Sequence, residues 1–121
     1  MENIGARFIK YKDKEIFVVN LTGCKPDGVV QVVNQAKQII RKQPLGTVLI
    51  LTVVTNANFS SDVIEVMKEF AAGNKPYVKA SAIVGLSGLH KAIYTMVTKF
   101  SGRDIPTFDN EEKAKDWLIS K

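Results

Sequence analysis

Thr47-Val48-Leu49-Ile50-Leu51-Thr52-Val53-Val54 decides the fold. The run is too continuously apolar for a strand with one wet face, so it predicts a central strand covered on both sides. Covering both faces of a strand takes helices, and the flanking sequence supplies them. Upstream, Val29, Val33, Ala36 and Ile40 recur at helical spacing beside Val32 and Ile39, with Asp27 as the cap and Pro44 beyond the end. Before that helix, Gly23-Cys24-Lys25-Pro26 interrupts the chain. Ala6 to Tyr11 and Ile16 to Thr22, joined by the polar turn Lys12-Asp13-Lys14-Glu15, read as a hairpin.

Downstream, Thr55-Asn56-Ala57-Asn58-Phe59 leads to a helix starting near Ser60 or Ser61, with Val63, Val66, Met67 and Phe70 on one face and Gly73-Asn74 as its stop. Val78 to Leu86 predicts another buried strand, whose small residues Ala80, Ser81, Ala82 and Gly85 allow close approach of a helix or neighbouring backbone. Ser87 caps a third helix with the apolar stripe Leu89, Ala92, Ile93, Met96, Val97 and Phe100, and Gly102 ends it. Ile105-Pro106-Thr107-Phe108 is a short strand that its proline confines to an edge or a strand end. Asp109-x-x-Glu112 resembles a capping box for a last helix that buries Ala114, Trp117 and Leu118. The expected class is α/β: a mixed, mostly parallel sheet of about five strands with an N-terminal antiparallel hairpin, four helices and right-handed crossovers.

The chain's 121 residues, 45% apolar and 24% charged, fit one domain over 1–121, too small for two enzyme domains. Its longest aliphatic run, Val48 to Leu51, is far too short for a transmembrane segment. Met1 to Arg7 lacks the pattern of a secretory leader, and Cys24 stands alone, without a disulfide partner or a thiolate cage; both set the expectation of a cytoplasmic protein. The net charge of +5 comes from scattered residues: Lys10, Lys12 and Lys14 flank a turn, while Arg41 and Lys42 end a helix. That is a solubilising surface, and no nucleic-acid partner is expected.

In parallel sheets ligands meet the loops after the strands, where helix N-termini offer free N–H groups. Three such loops are Gly23 to Asp27, Thr55 to Asp62 and Gly85 to Lys91. The middle one sets Ser60 and Ser61 beside a helix start, where a phosphate would meet the positive end of the dipole. The plainer alternative is that one serine caps the helix while Asn56 and Asn58 shape the turn. Gly85-Leu86-Ser87-Gly88-Leu89-His90-Lys91 has the look of a nucleophile turn, but Leu89 stands where the second glycine belongs, and His90 lies too near Ser87 in sequence to be an independently oriented base. Ser87 as cap, Gly88 as a close-packing residue and His90 on an exposed flank is the simpler account, with anion binding helped by Lys91 as an intermediate one. No catalytic residues are assigned. One His and one Cys outside any ligand spacing provide no metal site, and the absence of both GxxxxGK[ST] and GxGxxG disfavours a nucleotide cofactor. Asp62, Glu65 and Glu69 share a helical face beside Lys68 and read as solvated. Tyr94 departs from its helix's apolar stripe and, with Tyr77 and Phe59, is placed at the border of a groove or of a protein contact.

The order of elements, the serine pair after the central strand and two stretches, Lys79-Ala80-Ser81-Ala82-Ile83-Val84-Gly85-Leu86-Ser87-Gly88-Leu89 and Phe108-Asp109-Asn110-Glu111-Glu112-Lys113-Ala114-Lys115-Asp116-Trp117-Leu118, resemble the STAS superfamily, in particular its SpoIIAA-like, STAS/SEC14-type branch. The resemblance spans nearly the whole chain. It implies a non-enzymatic module like the anti-sigma-factor antagonists, which a partner kinase switches by phosphorylating a serine at the start of this helix, here Ser60 or Ser61. The chain departs from the Asp-Ser-Ser-Gly pattern with Phe59 and Asp62, the latter placing negative charge where the phosphate would arrive. The expected docking surface comprises Asn56, Asn58, Phe59, Asp62, Ser87, Gly88, His90 and Lys91, and its expected occupant is a protein partner such as an anti-sigma-type kinase. The SEC14-type likeness implies the alternative, a small apolar or lipid ligand between the sheet and the second and third helices. Edge strands at the hairpin or near Pro106 offer a route to a homodimer.

Overall fold

The structure, a computed structural model, describes residues 4–121; Met1, Glu2 and Asn3, the first part of the segment read for a leader, lie outside the described residues. The chain runs β1 (Gly5–Tyr11), β2 (Lys14–Asn20), α1 (Pro26–Ile40), β3 (Val48–Val53), α2 (Ser61–Asn74), a short 3-10 turn over Lys75–Tyr77, β4 (Val78–Val84), α3 (Gly88–Ser101), β5 (Thr107–Phe108) and α4 (Glu111–Ile119). The five strands lie side by side in chain order. β1 and β2 are antiparallel, and β2, β3, β4 and β5 are mutually parallel. This is the mixed, mostly parallel α/β architecture that the sequence predicts.

The hairpin turn is tighter than expected. Lys12 and Asp13 alone make it, both left-handed (φ 47° and 72°), which matches the twist of the two strands. β2 and β3 then carry large aliphatic side chains on both faces. Phe17, Val19, Leu21 and Ile50 pack with α1 and α2, whereas Ile16, Val18, Leu49 and Leu51 pack with Ala114 and Leu118 of α4. The helices thus sandwich the sheet, with α1, α2 and α3 on one face and α4 on the other.

Caps fall one or two residues from their expected places. α1 begins at Pro26 after Lys25, with Asp27 inside the first turn, because proline's fixed φ already suits the first helical position. α4 is capped by Asn110, whose Oδ1 accepts from Lys113 N at 2.9 Å, rather than by Asp109. α2 runs through Gly73, over which the Arg41 guanidinium lies, and hands over to the 3-10 turn after Asn74. Gly102 ends α3 in the left-handed conformation, as expected.

The expected stripe of α3 is rotated. Leu89, Met96 and Phe100 are 78%, 42% and 62% exposed, and Ala92 is exposed too. His90, Ile93, Tyr94, Val97, Thr98 and Ser101 turn inward instead, at the 3–4 spacing of one helical face. Four of these six are polar, and each has a partner: His90 reaches the Ala57 carbonyl and the Tyr94 hydroxyl donates to Ile105 O, both outside the helix, while the Thr98 and Ser101 hydroxyls donate to carbonyls of their own helix. Among the described residues no helix is long and apolar enough to cross a membrane.

Candidate functional site

The three loops singled out in the sequence meet on one rim of the sheet. Gly23 N donates to Thr55 O at 2.8 Å and Asn58 N donates to Cys24 O at 2.9 Å, which fastens the first loop to the second. Val54 N donates to Val84 O at 2.9 Å, fastening the second to the third. Parallel pairing of neighbouring strands brings their C-terminal ends together, so the rim follows from the topology.

Gly85 is the tight point of this rim. Its φ of +94° suits glycine, and a Cβ there would lie 2.7 Å from Thr55 N and 3.0 Å from Thr55 Cα. Gly88, expected to be the close-packing glycine, is open instead: a Cβ there would meet nothing within 4 Å. The close approach occurs where the strand ends, and by Gly88 the chain has already turned outward into α3.

Ser60 occupies the N-cap of α2 and its Oγ accepts from Val63 N at 3.4 Å, so its hydroxyl serves the helix. Ser61, Asp62, Asn56 and Asn58 are exposed around it, and Asn56 adopts the left-handed turn conformation (φ 56°) that asparagine tolerates. Ser87 is at the N-cap of α3 but makes no side-chain cap bond; it and Lys91 are exposed.

His90 is 8% exposed, contrary to its expected place on an exposed flank. Its Nε2 lies 2.7 Å from Ala57 O, and a carbonyl can only accept, so Nε2 carries the proton. The ring meets Phe59 edge-on, centroids 5.2 Å apart, and its Nδ1 is buried without a partner. The histidine therefore joins the second loop to the third. With Nε2 committed to a backbone carbonyl and no hydrogen bond joining the ring to Ser87 among the described residues, the two do not form a nucleophile–base pair.

Behind this closure, between the sheet and the α2/α3 pair, lies a cavity of about 70 Å³ whose walls are almost wholly apolar. Val54 and Ile83 form its floor, Met67 and Phe70 one side, Ile93 and Val97 the other. Phe59, His90 and Tyr94 line it as well, so two of the three aromatics placed at a groove border it; Tyr77 packs against the core instead. Burial pushes the Tyr94 phenol above its ordinary pKa, and the nearby Asp104 adds to the effect. At the end away from His90, Ser81 and Ala71 complete the wall. Their neighbour Arg103 reads in the sequence as one more scattered, solubilising basic residue. The small residues of β4 were the available signal, because a short side chain at Ser81 leaves room where a larger one would fill the cavity.

Glu65 pairs with Lys68 at 3.1 Å, and Glu69 with Lys37 and Arg41 at 3.2 and 3.3 Å. Partial burial raises the Glu69 pKa, but hydrogen bonds from Arg41 and Lys37 outweigh that and hold its carboxyl below the usual value. Among the described residues no three His, Cys, Asp or Glu side chains gather as a metal site.

No family model and no curated protein matches the chain. Among solved structures it is similar to the crystal structure of an uncharacterized protein of the DUF3478 family with a SpoIIAA-like fold from Shewanella loihica PV-4, with a TM-score of 0.73 at 15% identity, covering 94% of this chain and 92% of that one. At that identity the likeness establishes the fold. The chain has the SpoIIAA-like architecture that its sequence resembles.

Proposed function

We propose that the chain is a non-enzymatic binding module, one domain over 1–121 acting in the cytoplasm, which holds a small apolar ligand between the sheet and the α2/α3 pair. The observation that carries this reading is the cavity itself. Interiors are normally packed to the density of organic crystals, and a carbon-lined space with a few polar groups at its edge is the usual form of a small-molecule site. The residues around it support binding rather than chemistry, since His90 is tied to a carbonyl and Ser60 to its helix. Native mass spectrometry of freshly purified protein tests this. A carrier retains a low-mass compound that denaturation releases, and Val97→Trp, which fills the cavity, abolishes the retention. Bare protein mass, with no uptake of short-chain alcohols in titration, overturns it.

A second reading rests on the outer face of α3. Three of the large apolar side chains left most exposed, Leu89, Met96 and Phe100, run along one side of that helix, starting from the rim at Leu89. Exposed apolar groups gathered on one face mark protein contacts. In this reading a protein partner docks on α3 and the rim, and Ser61, whose hydroxyl is free of the cap, is the phosphorylated switch. Incubation with ATP and native lysate followed by mass spectrometry tests the switch; unmodified Ser61 counts against it.

A further inference from the structure

Arg103 is a partly buried cation whose hydrogen-bond partners are both neutral. It follows the left-handed turn at Gly102, and its guanidinium reaches back under the last turns of α2. Nη1 donates to Ala71 O at 3.4 Å, and Nη2 donates to Ser81 Oγ. Among the described residues no carboxylate forms an ion pair with it. Burial lowers its pKa to about 10, which still leaves it charged at neutral pH. The Ala71 carbonyl at the negative end of α2 and the Ser81 hydroxyl offset part of its desolvation, and an anion would offset more.

Two cavities meet at this group. Ala71 and Ser81 belong to the wall of the apolar cavity. Ser81 and Arg103 also wall a second, open cleft of about 170 Å³, together with Lys75, Lys79 and Asp104. The Ser81 hydroxyl, held by Arg103, is thus the partition between a carbon-lined chamber and a cleft bearing three cations and one carboxylate.

We propose that the two cavities are halves of one site for a single-chain amphiphile with an anionic head, the head on Arg103 and the chain passing Ser81 into the apolar chamber. The proposal rests on the apolar-ligand reading and adds the chemistry of the head group. A carboxylate accepts two parallel bonds from a guanidinium fork, and such charge-assisted bonds are about twice as strong as neutral ones. Lys75 and Lys79 add attraction at longer range. Asp104 offsets one of the three cations and leaves the cleft net positive, which favours an anionic head over a neutral one. The chamber is about half the ~150 Å³ that accepts a benzene, so it takes the leading carbons of a chain, and α3 must lift for more.

Octanoate and octan-1-ol, with the same chain and different heads, test the assignment when titrated against the full chain and followed by amide NMR shifts. Both are expected to move the amides of Ile83 and Val97, with octanoate binding at least about tenfold more tightly, a preference of ~1.4 kcal/mol. The preference is expected to shrink at high salt and to disappear in Arg103→Gln, while octanol binding stays the same. Equal affinity of the two in the wild-type protein overturns the head-group assignment and leaves the apolar-ligand reading intact; no shift from either overturns both. Octanoate that moves only the amides of Lys75 and Lys79 is surface ion pairing and also overturns it. If Arg103→Gln does not fold, the wild-type ratio and Lys79→Gln, expected to weaken octanoate alone by about threefold, decide the matter.

Discussion

Gly85→Ala tests whether the rim is as tightly drawn as its geometry implies. Two penalties combine. An alanine at φ +94° gives up the freedom only glycine has, costing about 1–2 kcal/mol. Its methyl group would also meet the Thr55 hydroxyl, and behind it the Thr55 backbone N at 2.7 Å, where nothing can rotate away; overpacking of this kind costs about 1–3 kcal/mol. Together they predict a loss of about 2–5 kcal/mol in urea unfolding, with the m-value unchanged, and a Tm about 10 °C or more lower. A double-mutant cycle with Thr55→Ala separates the parts. Removing the hydroxyl relieves one contact but leaves the backbone in place, so the pair is expected to recover no more than about 1 kcal/mol. A Gly85→Ala protein within about 0.5 kcal/mol of wild type, or one fully rescued by Thr55→Ala, refutes the claim that backbone meets backbone here.

Ser60→Ala is expected to cost about 0.5–1 kcal/mol in thermal unfolding through the lost cap, with Ser61→Ala neutral. Equal effects at the two positions argue against the assigned cap. Glu69→Gln is expected to cost less than about 1 kcal/mol at neutral pH, because the carboxylate is more than half exposed. Since its pKa is lowered in the folded state, the stabilisation is present above the ordinary glutamate range and is lost as pH falls through the folded value. Urea midpoints of wild type and variant should therefore converge in acid; a gap that persists there points to packing instead. Leu89→Ser should leave stability within about 0.5 kcal/mol, as for a surface site, whereas Val97→Ala should cost clearly more, because its side chain faces the cavity.

The strands and their partners were legible because their signals are local and redundant. Val48 to Val54 is interrupted only by Thr52, and α1 and α2 each carry an apolar repeat to cover it. The N-terminal ends of α1 and α4 slipped by a residue or two because Asp27 and Asp109 have neighbours, Pro26 and Asn110, that suit the boundary as well or better. The site was harder to read. Leu89 and His90 are adjacent, so weighting the stripe of α3 by hydrophobicity chose the outward neighbour. What turns His90 inward is the Ala57 carbonyl on another loop, a long-range partner with no trace in the local pattern. Arg103 escaped for the same reason: a lone arginine after a helix stop looks like any solvated C-terminal charge until the fold brings Ala71 and Ser81 to it.

The uneven attachment of the helices has a mechanical consequence. α1 buries Val29, Val32, Val33, Ala36 and Ile40 against the sheet, whereas the only fully buried members of α3 are His90 and Ser101. Less apolar area is therefore exposed when α3 swings away than when α1 does, and local opening follows the weaker seam. The molecule behaves as a rigid plate with one loosely riveted cover: amide exchange should release α3 while α1 and β3 remain protected, and cargo too large for the resting chamber is admitted by lifting that cover.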